Sequence, residues 1–510
     1  MQNSKAIVVG AGIGGLVAAL QLTMRGLDVT LIERAMRPGG KMREVSAGKA
    51  KIDAGPTVLT MRKVFEEIFA SADTQLDDHL TLKQADILAR HAWSETERLD
   101  LYADIERSVE AISAFSGTAE AQRFRQFCRH SQRVFRTLED AFIHSVNPSP
   151  LSLVRDTKLL DLMNIKPYGT LWKGLGDYFH DDRLRQLFAR YSTYVGSSPF
   201  LAPATLMLVA HVELDGVWLV EGGMHRIPEA LARLCSQRGV EIRYGTAVTD
   251  ISVQHGRAAG VRLATGEHLP ADYVVANADV AALAAGRFGA DVQRTVTAPK
   301  PEERSLSAVT WNLHSPTDGF PLLRHNVFFC RHYAAEFDDI FQQGRLPQEP
   351  TVYICAQDRD DRDDTTIKGP ERLLCLVNAP PRGDLQPFSN AEIEQCEERT
   401  FALLARCGLQ IKRRADTSVI TNPTDFDRLF PATGGALYGQ ASHDWRASFK
   451  RQGVRAKLPG LYLAGGSVHP GAGVPMAAIS GQMAAKAVLA DLNSRRKSRR
   501  GGIFGGMLTR

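Results

Sequence analysis

Residues 5–33 read "KAIVVGAGIGGLVAALQLTMRGLDVTLIE". The apolar run from Lys5 is a buried strand, and it runs into the glycine turn "GAGIGG" at Gly10–Gly15. "LVAALQLTMRG" then has the spacing of an apolar helix, closed by Gly26. "DVTLIE" from Asp28 is a second buried strand. Strand, glycine turn, helix and strand within about 30 residues form the unit that binds a dinucleotide. Gly10 permits the tight turn, Gly12 lets backbone approach a pyrophosphate, and Gly15 lets helix and strand pack closely. The helix N-terminus offers unpaired N–H groups to phosphate. Glu33 closes the second strand, where an acid binds ribose hydroxyls.

A second glycine-lined helix entrance, "HPGAGVPMAAISGQMAAK", lies at residues 469–486 near the other end of the chain. The two entrances suggest that both ends close on one long anionic cofactor. With 510 residues the chain has room for two or three domains, at a typical ~150 residues each. Its apolar fraction of 44% and charged fraction of 23% are those of an ordinary globular protein.

Six of the 62 Lys and Arg residues fall between Ser494 and Arg510, where no acid occurs. The remaining 56 face 57 Asp and Glu, so the body is near neutral and is not a nucleic-acid binder by charge. The seven cysteines form no CxxC pair, which implies reduced, buried thiols in a cytoplasmic protein. Ala6 to Met24 carries no charge, but its four glycines and the lack of a cleavage pattern argue against a leader. No stretch is apolar for long enough to suggest a membrane-spanning helix.

Helical spacing is expected over Phe124–Phe142 and Asp181–Tyr194. Between them, "PLSLVRDTKLLDLMNIKPYGTLWKGL" (150–175) mixes Leu, Met, Ile and Trp with Lys and Arg. That pattern fits either a core helix with a solvated face or an interfacial, membrane-contacting segment. "VEIRYGTAVTDI" reads as strand, turn, strand, and "AAGVRLATGEHLPADYVVANA" as a hairpin. Strands alternate with loops and one helix from about 292 to 420, and "RDDRDDTT" around Asp361 reads as a solvated loop. "GLYLAGG" from Gly460 is another buried strand, and the tail from Ser494 is expected to be disordered and basic.

Four glycine-rich segments need one explanation: Gly10–Gly15, "RPGGKMR", "IDAGP" and the 465–482 block. Together with "GGMHRIPEAL", "YVVANADV" and "HPGAGVPMAAISG", the set resembles the carotenoid and phytoene desaturase branch of the flavin amine-oxidase superfamily. "GPTVLTMRKVFEEIF" is most similar to the 1-hydroxycarotenoid 3,4-desaturases of photosynthetic bacteria. The resemblance implies an α/β fold. A Rossmann-type FAD-binding domain would be assembled discontinuously from 1–85, 215–290 and 430–493. The rest would be a helical substrate and membrane-contact region (86–214), a mixed α+β substrate domain (291–429) and the tail 494–510.

The resemblance implies FAD contacts at Gly10, Gly12, Gly14, Gly15, Glu33, Arg34, Gly40, Lys41, Val248, Gly465, Gly466, Pro475 and Met476. Lys41 stands where relatives often carry Arg. Asp156 matches an acid of the family, but Leu159 stands where an arginine is expected three residues on. Asp156, Glu213 (with His211 nearby) and His469 are the candidate catalytic residues, and no metal set is visible. The implied reaction removes a hydride and a proton from a C40 polyene drawn from the inner or intracytoplasmic membrane, on whose cytoplasmic surface the protein would sit. The aromatic and aliphatic residues between Tyr168 and Phe200 are a candidate substrate wall. The electron acceptor stays open between oxygen and a quinone. Phytoene desaturation and flavin-dependent isomerisation remain alternatives. An isoprenoid-binding chaperone would need an eroded glycine turn, and here both halves are intact.

Overall fold

The computed structural model describes residues 4–146, 148–157, 165, 169–361 and 367–504. The strand Lys5–Val9 sits at the centre of a five-stranded parallel sheet. Across the sheet the order is Leu461–Leu463, Tyr273–Ala276, Lys5–Val9, Asp28–Ile32 and Glu241–Arg243. Sequence neighbours make the central pair, and strands from the middle and the end of the chain fill the flanks. The strands are buried on both faces, which explains their unbroken Val, Ile and Leu runs. Helices Ile13–Thr23, Arg226–Gln237 and Val474–Phe504 pack on this sheet. The "VTDI" strand pairs not with the parallel sheet but with the hairpin Arg257–Leu263 and His268–Pro270, as a separate antiparallel sheet.

A second, seven-stranded sheet forms the other half. Its order is Ser418–Thr421, Ser307–Ser315, Glu371–Ala379, Val352–Ala356, His325–Phe328, Ile87–Ala92 and Arg98–Tyr102. Neighbours are antiparallel except His325–Phe328 with Ile87–Ala92. The last two strands fall within 86–214, the stretch read from sequence as a helical region. "ILARHA" is too short and too polar to show a strand pattern by itself, and it is drawn in by pairing with Arg98–Tyr102 on one side and residues 326–328 on the other. From Ile105 the chain is helical, with Ile105–Ser116 and Thr118–Leu138 followed by a π-turn at Glu139–Ile143.

Two further expectations change. Asp361 is buried rather than solvated, accepting from Lys83 Nζ at 2.8 Å and from the Asp86 backbone N–H. Residues 362–366 of that loop lie outside the described residues. The tail expected to be disordered from Ser494 continues the terminal helix to Phe504, and Arg495 Cζ lies 5.5 Å from the centre of the Tyr273 ring. Arg, Lys and Ser leave a helix unbroken, and the first glycines come only at Gly501 and Gly502.

Candidate active site

The glycine turn lies at the C-terminal edge of the parallel sheet, the usual ligand position of an open α/β sheet. Gly10 has φ +101°, and its N–H donates to Ile32 O at 2.8 Å, tying the turn to the second strand. A Cβ on Gly15 would stand 2.1 Å from Gly10 O, so only glycine lets helix meet strand there. Asn277 closes the turn from the neighbouring strand. Its amide accepts from Gly12 N at 3.1 Å and Gly15 N at 3.3 Å and donates to Ala464 O at 3.2 Å. No side chain caps the helix Ile13–Thr23 and no acid occupies its first turn. The Ile13 and Gly14 N–H groups are thus available to an anion.

Glu33 is buried, and its carboxylate braces the turn by accepting from Ala11 N at 2.7 Å and Ala35 N at 2.8 Å. The "PGG" loop docks on the same turn: Gly39 N donates to Ala11 O at 2.8 Å, and Gly40 sits against the Gly12 backbone. Lys41 follows, donating from Nζ to Leu437 O at 2.6 Å, with Asp279 at 3.9 Å. Burial lowers its pKa, while Asp279 opposes the shift. From the far end of the chain, Gly465 N donates to Ser480 Oγ at 2.7 Å, fixing the turn to the terminal helix. Arg451, also buried, donates to Tyr438 O at 3.1 Å, Gly466 O at 3.2 Å and Gln440 O at 2.7 Å.

Burial sorts the expected cofactor residues into two groups. Gly10, Gly12, Gly40, Lys41, Gly465, Gly466 and Met476 keep accessible surface toward the cleft, as does Val248 at the head of its strand. Gly14, Gly15 and Pro475 are buried. Gly14 serves a crossing between helices, since a Cβ there would lie 3.0 Å from Ala477 O of the terminal helix and 2.8 Å from Gly465 N. Its counterpart is Gly481, where a Cβ would come within 2.3 Å of Gly14 O. Arg34 is exposed and turns its guanidinium to Leu429 O.

Asp53 explains why two of the motifs occur together. Its carboxylate accepts from Met224 N at 2.7 Å and His225 N at 3.2 Å, so "IDAGP" holds the turn of "GGMHRIP". Burial raises its pKa, and those two bonds counter the rise.

Two of the three acid–base candidates are engaged by other residues. Both oxygens of Glu213 accept tyrosine hydroxyls, from Tyr191 at 2.6 Å and from Tyr194. His469 gives its Nε2 to Phe142 O at 3.0 Å, and burial holds its pKa down at about 4. It latches the loop that follows Gly466 to the π-turn and stays neutral. His211 packs edge-on against Phe135. Asp156 ends the short helix Pro150–Asp156, and its side chain lies outside the described residues. Tyr168 also lies outside them. Among the described residues no group of His, Cys, Asp and Glu is arranged to hold a metal. The seven cysteines are buried and unpaired.

Sequence reasoning passed over Asn277, Asp279, Arg451 and Gly481. Asn277 and Asp279 lie inside the quoted "YVVANADV", and Gly481 inside the closing glycine block. Arg451 carries no local signal, because its three acceptors come together only in the fold.

The flavin-containing amine oxidoreductase model matches residues 13–489. The chain belongs to that family. A flavin oxidoreductase of this family uses FAD, and the site fits it: a glycine turn packed too closely for any Cβ, free helix N–H groups, a braced Glu33 and the cations Lys41 and Arg451. The chain is 55% identical to hydroxyneurosporene desaturase of Rubrivivax gelatinosus, over 100% of its own length and 98% of the relative's. It is 45% identical to the Cereibacter sphaeroides protein of the same name, over 96% and 98%. Among solved structures, a cofactor-redesigned putrescine oxidase aligns with TM-score 0.60 at 13% identity, over 97% of this chain and 99% of that one. An oxidoreductase from Methanosarcina mazei aligns at 0.56 and 16%, over 94% and 99%. These structural matches establish the shared fold.

Proposed function

We propose that this flavoenzyme desaturates a 1-hydroxycarotenoid at C-3,4, in the manner named for its 55%-identical, full-length relative. The observation that carries the reading is the character of the space beside the flavin loop. Trp172, Phe200, Tyr353 and Tyr438 retain accessible surface, whereas Phe127, Phe179 and Phe188 behind them are fully buried. Trp172 and Phe200 pack with ring centres 4.9 Å apart, and Phe200 meets Phe337 at 5.9 Å. Such a wall suits an extended polyene.

FAD supplies the hydride acceptor. The residues proposed to hold it are Gly10, Gly12, Ile13 and Gly14 at the pyrophosphate, Glu33 at the ribose, and Gly40, Lys41, Val248, Gly465, Gly466 and Met476 along the cleft. Lys41 and Arg451 place positive charge there, which favours an electron-rich ligand. Loss of hydride next to a polyene leaves a cation delocalised along the chain, so the following proton loss needs only a weak acceptor. That fits a site whose carboxylate and imidazole are already engaged by other residues. Catalysis then rests on positioning and on exclusion of water.

The substrate is insoluble in water and is collected from a bilayer. Leu151 is 81% exposed and Val154 52% exposed, three residues apart on one face of the helix Pro150–Asp156. This face is the proposed contact with the cytoplasmic side of the membrane. Residues 158–164 and 166–168 of the expected 150–175 segment lie outside the described residues. Among the described residues no helix is long and apolar enough to cross a membrane. Oxygen or a quinone is the proposed final acceptor.

The test is product analysis after incubating FAD-loaded protein with 1-hydroxyneurosporene in liposomes. A product lighter by two hydrogens, with one more conjugated double bond, supports the reading. Conversion of phytoene alone, or an isomer of unchanged mass, refutes it.

A further inference from the structure

Within the aromatic half of the molecule lies a charged cluster that the hydride chemistry does not use. Glu213 is buried and receives the hydroxyls of Tyr191 and Tyr194. Arg190 Cζ lies 5.4 Å from the Tyr194 ring centre and 5.9 Å from that of Tyr353. Tyr353 Oη is in turn 2.8 Å from His325 Nδ1 and 2.6 Å from Thr57 Oγ1, in the "GPT" motif. Charges buried in apolar surroundings seldom repay their desolvation in stability, so the cluster calls for a role beyond folding.

Three observations indicate where it faces. Arg190, Tyr194, Tyr353 and Tyr438 lie deep in the protein, where burial is the largest influence on each pKa, yet all four keep accessible surface. Deep residues with residual surface line an internal cleft. Second, Tyr333 Oη and His325 Nε2 are buried polar atoms without a partner, and the charge of Arg190 acts on both residues. Third, the cluster borders the flavin loop. Leu306 N donates to Gly196 O at 2.9 Å, a Cβ on Gly196 would lie 2.5 Å from the Tyr438 ring, and Arg451 bonds the Tyr438 and Gly466 carbonyls together.

We propose that Arg190 and Tyr194, braced by Glu213, form the subsite that binds the hydroxyl group of the substrate. This deepens the hydroxycarotenoid reading and rests on it. Arg190 donates an N–H to the alcohol oxygen. The Tyr194 hydroxyl is committed as a donor to Glu213, and its oxygen, which the Arg190 guanidinium also faces, has a second lone pair to accept the alcohol proton. The carbon bearing the hydroxyl is two bonds from C3, so at about 1.5 Å per bond the oxygen sits within ~5 Å of the reacting carbons. A hydroxyl subsite must therefore border the flavin loop, as this cluster does. The pair matches an alcohol in full, a methyl ether in half and a hydrocarbon not at all. Sites built around a hydroxyl reject analogues that lack it by large factors, because their own polar groups are left unpaired.

The experiment compares kcat/KM for 1-hydroxyneurosporene, its methyl ether and neurosporene in liposomes, together with carotenoid Kd from the shift of the polyene spectrum. The wild-type order is expected to be alcohol, then ether, then hydrocarbon, with at least ~100-fold between the ends. Arg190→Met and Tyr194→Phe are expected to shrink that ratio at least tenfold in both readouts. Tyr191→Phe loses the same kind of bond to Glu213 from a fully buried ring, and is expected to lower Tm while keeping the ratio. Equal turnover of alcohol and hydrocarbon by wild type overturns the subsite and leaves the desaturase reading standing. So does a Tyr194→Phe ratio equal to that of wild type in folded, FAD-loaded protein. Turnover of none of the three by wild type overturns both.

Discussion

Gly481→Ala is expected to destabilise this protein and to loosen its cofactor, although the residue lies within a helix. In an open helix interior the change from glycine to alanine would stabilise by about 0.5–1 kcal/mol. Here the new Cβ would stand 2.3 Å from Gly14 O and 3.1 Å from Val17 Cβ. Relief requires the terminal helix and Ile13–Thr23 to part by about 1 Å, and overpacking of this kind costs about 1–3 kcal/mol. The first helix cannot follow freely, because Gly15 and Gly10 hold it against the sheet. The separation therefore opens the cradle where both glycine turns meet. A loss of 1.4–2.8 kcal/mol in FAD binding corresponds to ~10–100-fold in Kd. The assay is titration of apoprotein with FAD, followed by flavin fluorescence, alongside Tm. Gly169→Ala is the reference, since nothing lies within 4 Å of its Cβ. If Gly481→Ala binds FAD within twofold of Gly169→Ala and melts at the same temperature, the helix-crossing argument is wrong.

Replacing Arg451 by Met leaves three carbonyls without their donor, and at about 1–3 kcal/mol for an unsatisfied buried group it should lower both Tm and FAD affinity. The Leu151→Asp/Val154→Asp double variant should lose most of its flotation with anionic liposomes, since burying each side chain is worth about 1.5–3 kcal/mol, while turnover of detergent-dispersed carotenoid persists. Acid should unfold the protein: burial depresses the pKa of His91 and His325 to about 3 and of His469 to about 4. Their contribution is intact above pH ~6.5 and is lost as pH falls, by roughly 2–3 kcal/mol each at pH 4.5, which denaturant melts across pH would register. Glu336 acts in the opposite sense. Burial raises its pKa to about 7, so its contribution is present below pH ~4.5 and lost on rising through 7, and Glu336→Gln should gain up to roughly 3 kcal/mol at pH 8.

The parallel sheet was legible because it is built from local units. The turn at Gly10–Gly15, the strand Asp28–Ile32 and the entrance at Val474 each carry their own pattern, whereas Tyr273–Ala276, read as the end of a hairpin, leaves it to join the parallel sheet. The seven-stranded sheet was only half legible, because the hairpin Ile87–Ala92 with Arg98–Tyr102 joins it through a partner more than two hundred residues away. Lys41, Glu33 and Gly14 could be singled out from sequence, but the packing of Gly14 against the terminal helix could not. Spacing shows that glycine is required without showing whether a ligand or another helix fills the space. The chemistry at Glu213 and His469 was least legible, since a carboxylate in "HVELD" carries no mark of the two tyrosines that occupy it. Asp361 hides in a run of acids: Lys83 from a distant strand meets Asp360 as well, and the Asp86 backbone N–H bonds Asp361.

The most direct measurement is an anaerobic single turnover. FAD-loaded protein is mixed with liposomes carrying 1-hydroxyneurosporene, and the oxidised-flavin band and the polyene spectrum are followed together. The account predicts that the flavin bleaches at the rate at which the polyene absorption moves to the red, with one product formed per flavin reduced. A polyene that lengthens while the flavin stays oxidised, or a flavin that never bleaches with this substrate, would contradict it.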